Sequence, residues 1–265
     1  MKSLSNLLPG VRAIAEDAGE AIMQVYSREF EVEDKADDSP LTEADLAAHR
    51  IIVAGLEALT PATPCLSEEG EAVEFETRRG WSRYWLIDPL DGTREFVKKN
   101  GEFTVNIALI EDGEPVLGVV HAPVQKCSWI GARGVGAEKI TEHDSAPLRT
   151  AVADPSRPRL LVSKSHNNDE TRALLERFDD YEALSVGSSL KFCVVAEGAA
   201  DFYPRLGPTS EWDTAAAHAV LLEAGGHVVD TAGKPLRYNQ KESILNPHFL
   251  AFGDVQIDWP AYLED

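Results

Sequence analysis

The chain has 265 residues, 43% hydrophobic and 26% charged, with a formal net charge of −20. Such a length and composition suit one large unit or two joined ones with a sizeable core. The charge excludes broad contact with nucleic-acid polymers or anionic lipid. It does not exclude a small phosphorylated ligand that meets a local island of positive charge. Three cysteines, Cys65, Cys127 and Cys193, are far apart and form no CxxC pair. They read as buried free thiols in a reducing cytoplasm. No apolar run approaches the ~20 residues of a membrane helix. The early acids of the N-terminus do not resemble a signal peptide, and peripheral binding at the inner face of the cell membrane stays open.

In chain order, Leu4, Leu7, Leu8, Val11, Ile14, Ala18, Ile22 and Val25 recur at helical spacing and predict a helix over residues 4–26. After an acidic loop, "LTEADLAAHRIIVAGLEAL" predicts a second helix, with Thr42 and Asp45 at capping-box spacing. "CLSEEGEAVEFETRRGWS" reads as a polar loop. "RYWLID", "EFTVNIALIEDG", "EPVLGVVHAPV" and "QKCSWIGA" predict an antiparallel meander with Asp112-Gly113 as a hairpin turn. "GARGVGA" lacks GxGxxG spacing and reads as a further hairpin turn. The proline-rich residues 144–159 suggest a boundary between an N-terminal α+β part, 1–150, and a C-terminal α/β part, 151–265. Beyond it strands and helices alternate, which predicts layered α/β packing. His218 and His227 read as structural.

The chemistry concentrates in "WLIDPLDGTREF", residues 85–96. An apolar strand ends on Asp88, and Asp91 follows within a turn made by Pro89 and Gly92. Two such close carboxylates repel unless a cation lies between them, and Mg²⁺ uses one or two carboxylates with phosphate and water. An acidic turn without a ligand is the alternative, since Asp, Pro and Gly are all turn formers. Glu68 and Glu69 stand in "LSEEG", twenty residues before Asp88. Asp213 opens the helix of "SEWDTAAAH", where capping also accounts for an acid. "VSKSHNNDE" offers Ser163, Lys164, Ser165 and His166; "VGSSLKFC" offers Gly187, Ser188, Ser189 and Lys191. Hydroxyls, amides and a lysine at helix starts suit a phosphate. Ordinary caps with a solvated lysine are the alternative. No GxSxG or Cys-x5-Arg nucleophile motif occurs.

"SEE", "DPLDGT" and "WDTAA", in that order along nearly the whole chain, resemble the inositol monophosphatase superfamily of Mg²⁺-dependent, lithium-inhibited phosphatases. "DPLDGTREFVKKNGEFTVNIALIEDGEPVLGVVHAPV" is closer to the 3'(2'),5'-bisphosphate nucleotidase branch. An inositol monophosphatase more often reads DPIDGTTNF there; this chain has Arg94-Glu95-Phe96.

The resemblance implies a layered αβαβα sandwich with two or three Mg²⁺ ions. The ions would be held by Glu68, Asp88, the Leu90 carbonyl, Asp91 and Asp213. Thr93 with Asp45 would position the attacking water, and Glu68 would join them in catalysis. Amides of Gly92 and Thr93 would hold phosphate oxygens. The substrate would also contact Glu68, Leu90, Asp91 and Asp213, with Ser165, His166, Gly187, Ser188 and Lys191 on its nucleotide side. The implied reaction is metal-assisted hydrolysis of adenosine 3',5'-bisphosphate to AMP and phosphate, without a covalent enzyme intermediate. An inositol phosphate or fructose 1,6-bisphosphate phosphatase is the nearest alternative. A non-catalytic sensor of a phosphorylated metabolite is another.

Overall fold

The computed structural model describes residues 2–28, 32–34, 40–162 and 168–263. The N-terminal half runs α1 (Leu4–Tyr26), β1 (Val32–Asp34), β2 (Pro40–Thr42), α2 (Glu43–Leu59), β3 (Cys65–Ser67), α3 (Phe75–Arg78), β4 (Arg83–Asp91), α4 (Thr93–Val97), β5 (Thr104–Glu111), β6 (Glu114–Ala122), β7 (Cys127–Ala132), β8 (Gly136–Thr141) and β9 (Ser145–Pro147). The C-terminal half runs β10 (Arg159–Leu161), α5 (Asp169–Leu175), β11 (Glu182–Leu184), α6 (Leu190–Ala196), β12 (Phe202–Arg205), α7 (Glu211–Glu223), β13 (His227–Asp230) and β14 (Phe249–Phe252).

Strands β3 to β9 form a seven-stranded sheet in sequence order; β11-β10-β12-β14-β13 form a five-stranded one. The meander from β4 to β9 is antiparallel as expected, and Asp112 and Gly113, both at positive φ, turn β5 into β6. Residues 65–82 differ from the expected polar loop. They contain β3, which pairs parallel with β4, and the short α3. A three-residue strand made by pairing has too little local periodicity to be read from sequence.

Strand alternation sorts the side chains into layers. Trp85 and Ile87 of β4 join Val105, Ile107 and Leu109 of β5 under α1 and α2. Tyr84, Leu86, Ala108 and Ile110 face the other way, onto α6, α7 and the five-stranded sheet. Leu160, Phe202, Leu250 and Phe252 cover the outer face of that sheet with Leu174, Phe178 and Trp259. The result is helix, sheet, helix, sheet, helix. Helix α7 lies so close to the first sheet that a Cβ on Gly118 would stand 2.0 Å from the Ala216 carbonyl oxygen. Gly131 meets Val220 in the same way, at 2.9 Å.

Cys127 and Cys193 are buried free thiols as expected, but Cys65, on an edge strand, is only partly covered. His218 is buried and bonds the Tyr238 hydroxyl, whereas His227 is exposed. Among the described residues no helix is long and apolar enough to cross a membrane. Ser163, Lys164, Ser165 and His166 lie outside the described residues.

Candidate active site

Strand β4 carries its apolar anchor to Asp88, which is 1% exposed and pairs with Asn106 of β5. The pairing then shifts, so that Asp91 stands opposite Thr104. The turn between them is held by the Leu90 N–H, which donates to Asp88 Oδ1 at 3.0 Å. Gly92 caps α4 with φ of 91°, a left-handed value that glycine adopts without strain. A side chain there would also crowd the Glu102 carbonyl oxygen at 3.1 Å and Ser188 Cβ at 3.3 Å. The Thr93 hydroxyl donates to the Leu90 carbonyl at 3.4 Å.

Two more acids face this turn from other elements. Glu68 follows β3, and its N–H donates to the Ile87 carbonyl at 3.1 Å, which locks it beside Asp88. Asp213 is the third residue of α7 and forms a capping box with Ser210, whose N–H donates to Oδ2 at 2.8 Å. Capping and convergence on the site are therefore compatible. Asp45 repeats the device on α2, accepting from the Thr42 N–H at 2.9 Å and the Thr42 hydroxyl at 2.6 Å.

The electrostatics reflect this crowding. Burial pushes the Asp88 carboxyl well above the usual carboxylate range, and Glu68, Asp91 and Asp213 push it further. Burial raises Asp213 too, with Asp91 and Glu68 adding to it against the Ser210 N–H. Burial lifts Asp91 to about 6, although Lys191 and the Ser189 N–H oppose the rise. Four carboxylates thus share a space that has excess negative charge, a setting that a divalent cation relieves. Among the described residues no three such side chains already close on one point. Mg²⁺ takes one or two carboxylates and fills its remaining positions with water and substrate oxygens.

The facing wall comes from the C-terminal half. Lys191 is 7% exposed, so the solvated lysine of the alternative is overturned. Its Nζ donates to the Ser188 carbonyl at 2.7 Å and the Val186 carbonyl at 3.4 Å and lies 5.4 Å from the Tyr203 ring centre. Burial pulls its pKa down to about 8, against the Asp91 charge. Ser188 has φ of 48°, costly for a residue other than glycine. Gly187 N–H donates to Glu102 Oε2 at 2.9 Å. Ser189 N–H donates to Asp91 Oδ2, while its hydroxyl bonds Asn106 and Thr104, each at 2.8 Å.

The cleft between these walls is lined by Asp91, Gly92, Glu95, Gly187, Ser188, Lys191, Tyr203, Arg205 and Asp213, among others. Of the expected positions it takes in Asp91, Gly92, Gly187, Ser188, Lys191 and Asp213, whereas Glu68 lines a separate depression beside α3. Sequence reasoning missed Arg205 and Tyr203 as site residues. Arg205 donates from Nη2 to the Pro208 carbonyl at 2.8 Å, and its Nε is buried with no partner among the described residues. An arginine closing the apolar strand "ADFYPR" eight residues before Asp213 was the available signal.

The profile of the inositol monophosphatase family matches residues 3–255, and the chain belongs to that family. Within the family, it is 52% identical over 245 residues to the 3'(2'),5'-bisphosphate nucleotidase CysQ of Salmonella typhimurium, covering 92% of this chain and 98% of the relative. The CysQ nucleotidase of Haemophilus influenzae is 41% identical over 261 residues, 98% of this chain and 97% of its own length. The crystal structure of CysQ from Bacteroides thetaiotaomicron, described as a bacterial member of the inositol monophosphatase family, superposes with a TM-score of 0.82. It is 41% identical, with 94% of this chain and 97% of that one covered. The expected layered sandwich is thereby borne out.

Proposed function

We propose that the chain is a Mg²⁺-dependent 3'(2'),5'-bisphosphate nucleotidase that removes the 3'-phosphate of adenosine 3',5'-bisphosphate, giving AMP and phosphate. The observation that carries this is one cleft with two unlike walls: the part-buried carboxylates of Asp91 and Asp213 on one side, Lys191 and Arg205 on the other. The half identity to the Salmonella nucleotidase across nearly the whole chain supports it.

On this proposal Glu68, Asp88, the Leu90 carbonyl, Asp91 and Asp213 would hold two or three Mg²⁺ ions. Bound there, Mg²⁺ would neutralise phosphoryl charge, lower the pKa of water and stabilise the leaving oxygen. The chain's own residues supply position and exclusion. Gly92 and Thr93 amides at the start of α4 would hold phosphate oxygens. Thr93 and Asp45 would orient the attacking water, with Glu68 beside them. Lys191, Arg205, Gly187 and Ser188 would take the nucleoside and its 5'-phosphate; Ser165 and His166 are proposed for the same side. Residues 1–150 would supply the metal site and residues 151–265 its completion with the nucleotide contacts. Lithium should inhibit, and the work would belong to sulfur metabolism in a cytoplasmic setting.

Phosphate release from adenosine 3',5'-bisphosphate, inositol 1-phosphate and fructose 1,6-bisphosphate, each with Mg²⁺, tests this. The nucleotide should be turned over fastest. Faster release from inositol 1-phosphate would reject the branch, and Mg²⁺-dependent release from none would favour a sensor.

A further inference from the structure

Glu95 is the third residue of α4, one helical turn from the Gly92 amide. It lines the cleft and is half-buried. Its neighbours fix where it stands. A Cβ on Gly187 would lie 3.0 Å from Glu95 Cγ, and a Cβ on Gly92 would lie 3.4 Å from Glu95 Oε2. Gly92 belongs to the carboxylate wall and Gly187 to the lysine wall, so the Glu95 side chain sits at the seam between them. No hydrogen bond or ion pair to a described residue satisfies its carboxylate, in contrast to Asp45, Asp88, Asp91 and Asp213.

An ionised carboxylate accepts hydrogen bonds and donates none. In a cleft that takes phosphate it repels the ligand unless the ligand brings it an O–H or N–H. Building on the nucleotidase reading, the seam lies between the scissile 3'-phosphate and the nucleoside. The donor carried at that point of the substrate is the vicinal 2'-hydroxyl. We propose that Glu95 is a specificity-determining residue that accepts a hydrogen bond from the ribose 2'-hydroxyl beside the scissile phosphate. The same charge disfavours a phosphate in place of that hydroxyl.

The test is a cycle of enzyme and substrate changes. Rates at low substrate, kcat/KM, are measured for wild type, Glu95→Gln and Glu95→Ala. The substrates are adenosine 3',5'-bisphosphate and its 2'-deoxy analogue. Wild type should lose about 10- to 100-fold when the hydroxyl is removed, the range of a hydrogen bond to a charged acceptor. Glu95→Ala should bring the two substrates to within about threefold of each other. Glu95→Gln, near-isosteric and still carrying an acceptor oxygen, should fall between, and it decides the matter if the alanine variant melts early. An equal ratio in all three proteins would overturn the assignment, since a purely electrostatic effect on Asp91 or Lys191 moves both substrates alike. Wild type that spares both nucleotides but hydrolyses inositol 1-phosphate would instead overturn the nucleotidase reading, and this inference with it.

Discussion

At the residue scale the chain concentrates like charges and leaves their relief to a ligand. Asp91 is part-buried, raised to about 6 by desolvation, and pressed by Glu68. Asp91→Asn should therefore abolish most turnover without lowering the melting temperature of the metal-free protein. Excess Mg²⁺ should stabilise wild type, by about 2.7 kcal/mol at a hundredfold over the dissociation constant, and stabilise the variant far less. Circular-dichroism melts with and without Mg²⁺ read both, and a variant melting well below metal-free wild type would contradict the account. Lys191 carries its charge below a pKa of about 8 and loses it above. KM for the bisphosphate should thus rise as pH climbs from 7 to 9. Lys191→Ala should raise KM at pH 7, flatten that rise, and spare a substrate without the second phosphate; equal effects on both substrates would remove Lys191 from the nucleotide wall. Asp88, Asp91 and Gly92 were legible because strand, acid and glycine lie within one short stretch. The burial of Lys191 was not, since Tyr203 and the Val186 and Ser188 carbonyls around it are assembled by tertiary packing. Asp45 and Asp213 read equally well as caps, and the structure has them capping.

At the element scale, legibility followed length. The periodic stripe gave α1 its full span, Leu4–Tyr26. The short β3, α3 and β14 owe their form to partners far along the chain, and nothing local announces them. Gly118 of β6 carried no turn signal either, and Gly131 of β7 was read into a hairpin turn, because the reason for both is α7. With backbone at 2.0 Å from the Cβ position and not a flexible side chain, Gly118→Ala must push α7 off the sheet. Overpacking of this kind costs about 1–3 kcal/mol. The displaced helix also carries Asp213, so turnover should fall along with the melting temperature. Chemical denaturation paired with phosphate release checks this, and a variant of normal stability would show that the helix has room to shift.

Over the whole molecule, stability should bend with acid through histidines kept neutral. Burial holds His121 at about 4 and His218 at about 3, both below the ordinary 6.5. The unfolded chain takes up these protons as pH falls through 6.5 while the native one does not. Their support is complete above that pH and wanes at about 1.4 kcal/mol per unit for each histidine, down to the folded values. His218→Gln should be less stable than wild type at pH 8, with the gap narrowing towards pH 4.5. Parallel stability profiles from urea titrations would refute this. The raised carboxyls of Asp88 and Asp213 bend the curve the other way in metal-free protein, so the variant comparison isolates the histidine. One hydrogen bond has a reach beyond its strength. Ser189, on the nucleotide wall, gives its amide to Asp91, on the carboxylate wall. An engineer who reshapes residues 186–189 to admit a new base would be adjusting the carboxylate that the reaction depends on. Variation for new substrates is better begun at Glu95 of α4, whose side chain lines the cleft without holding that bond.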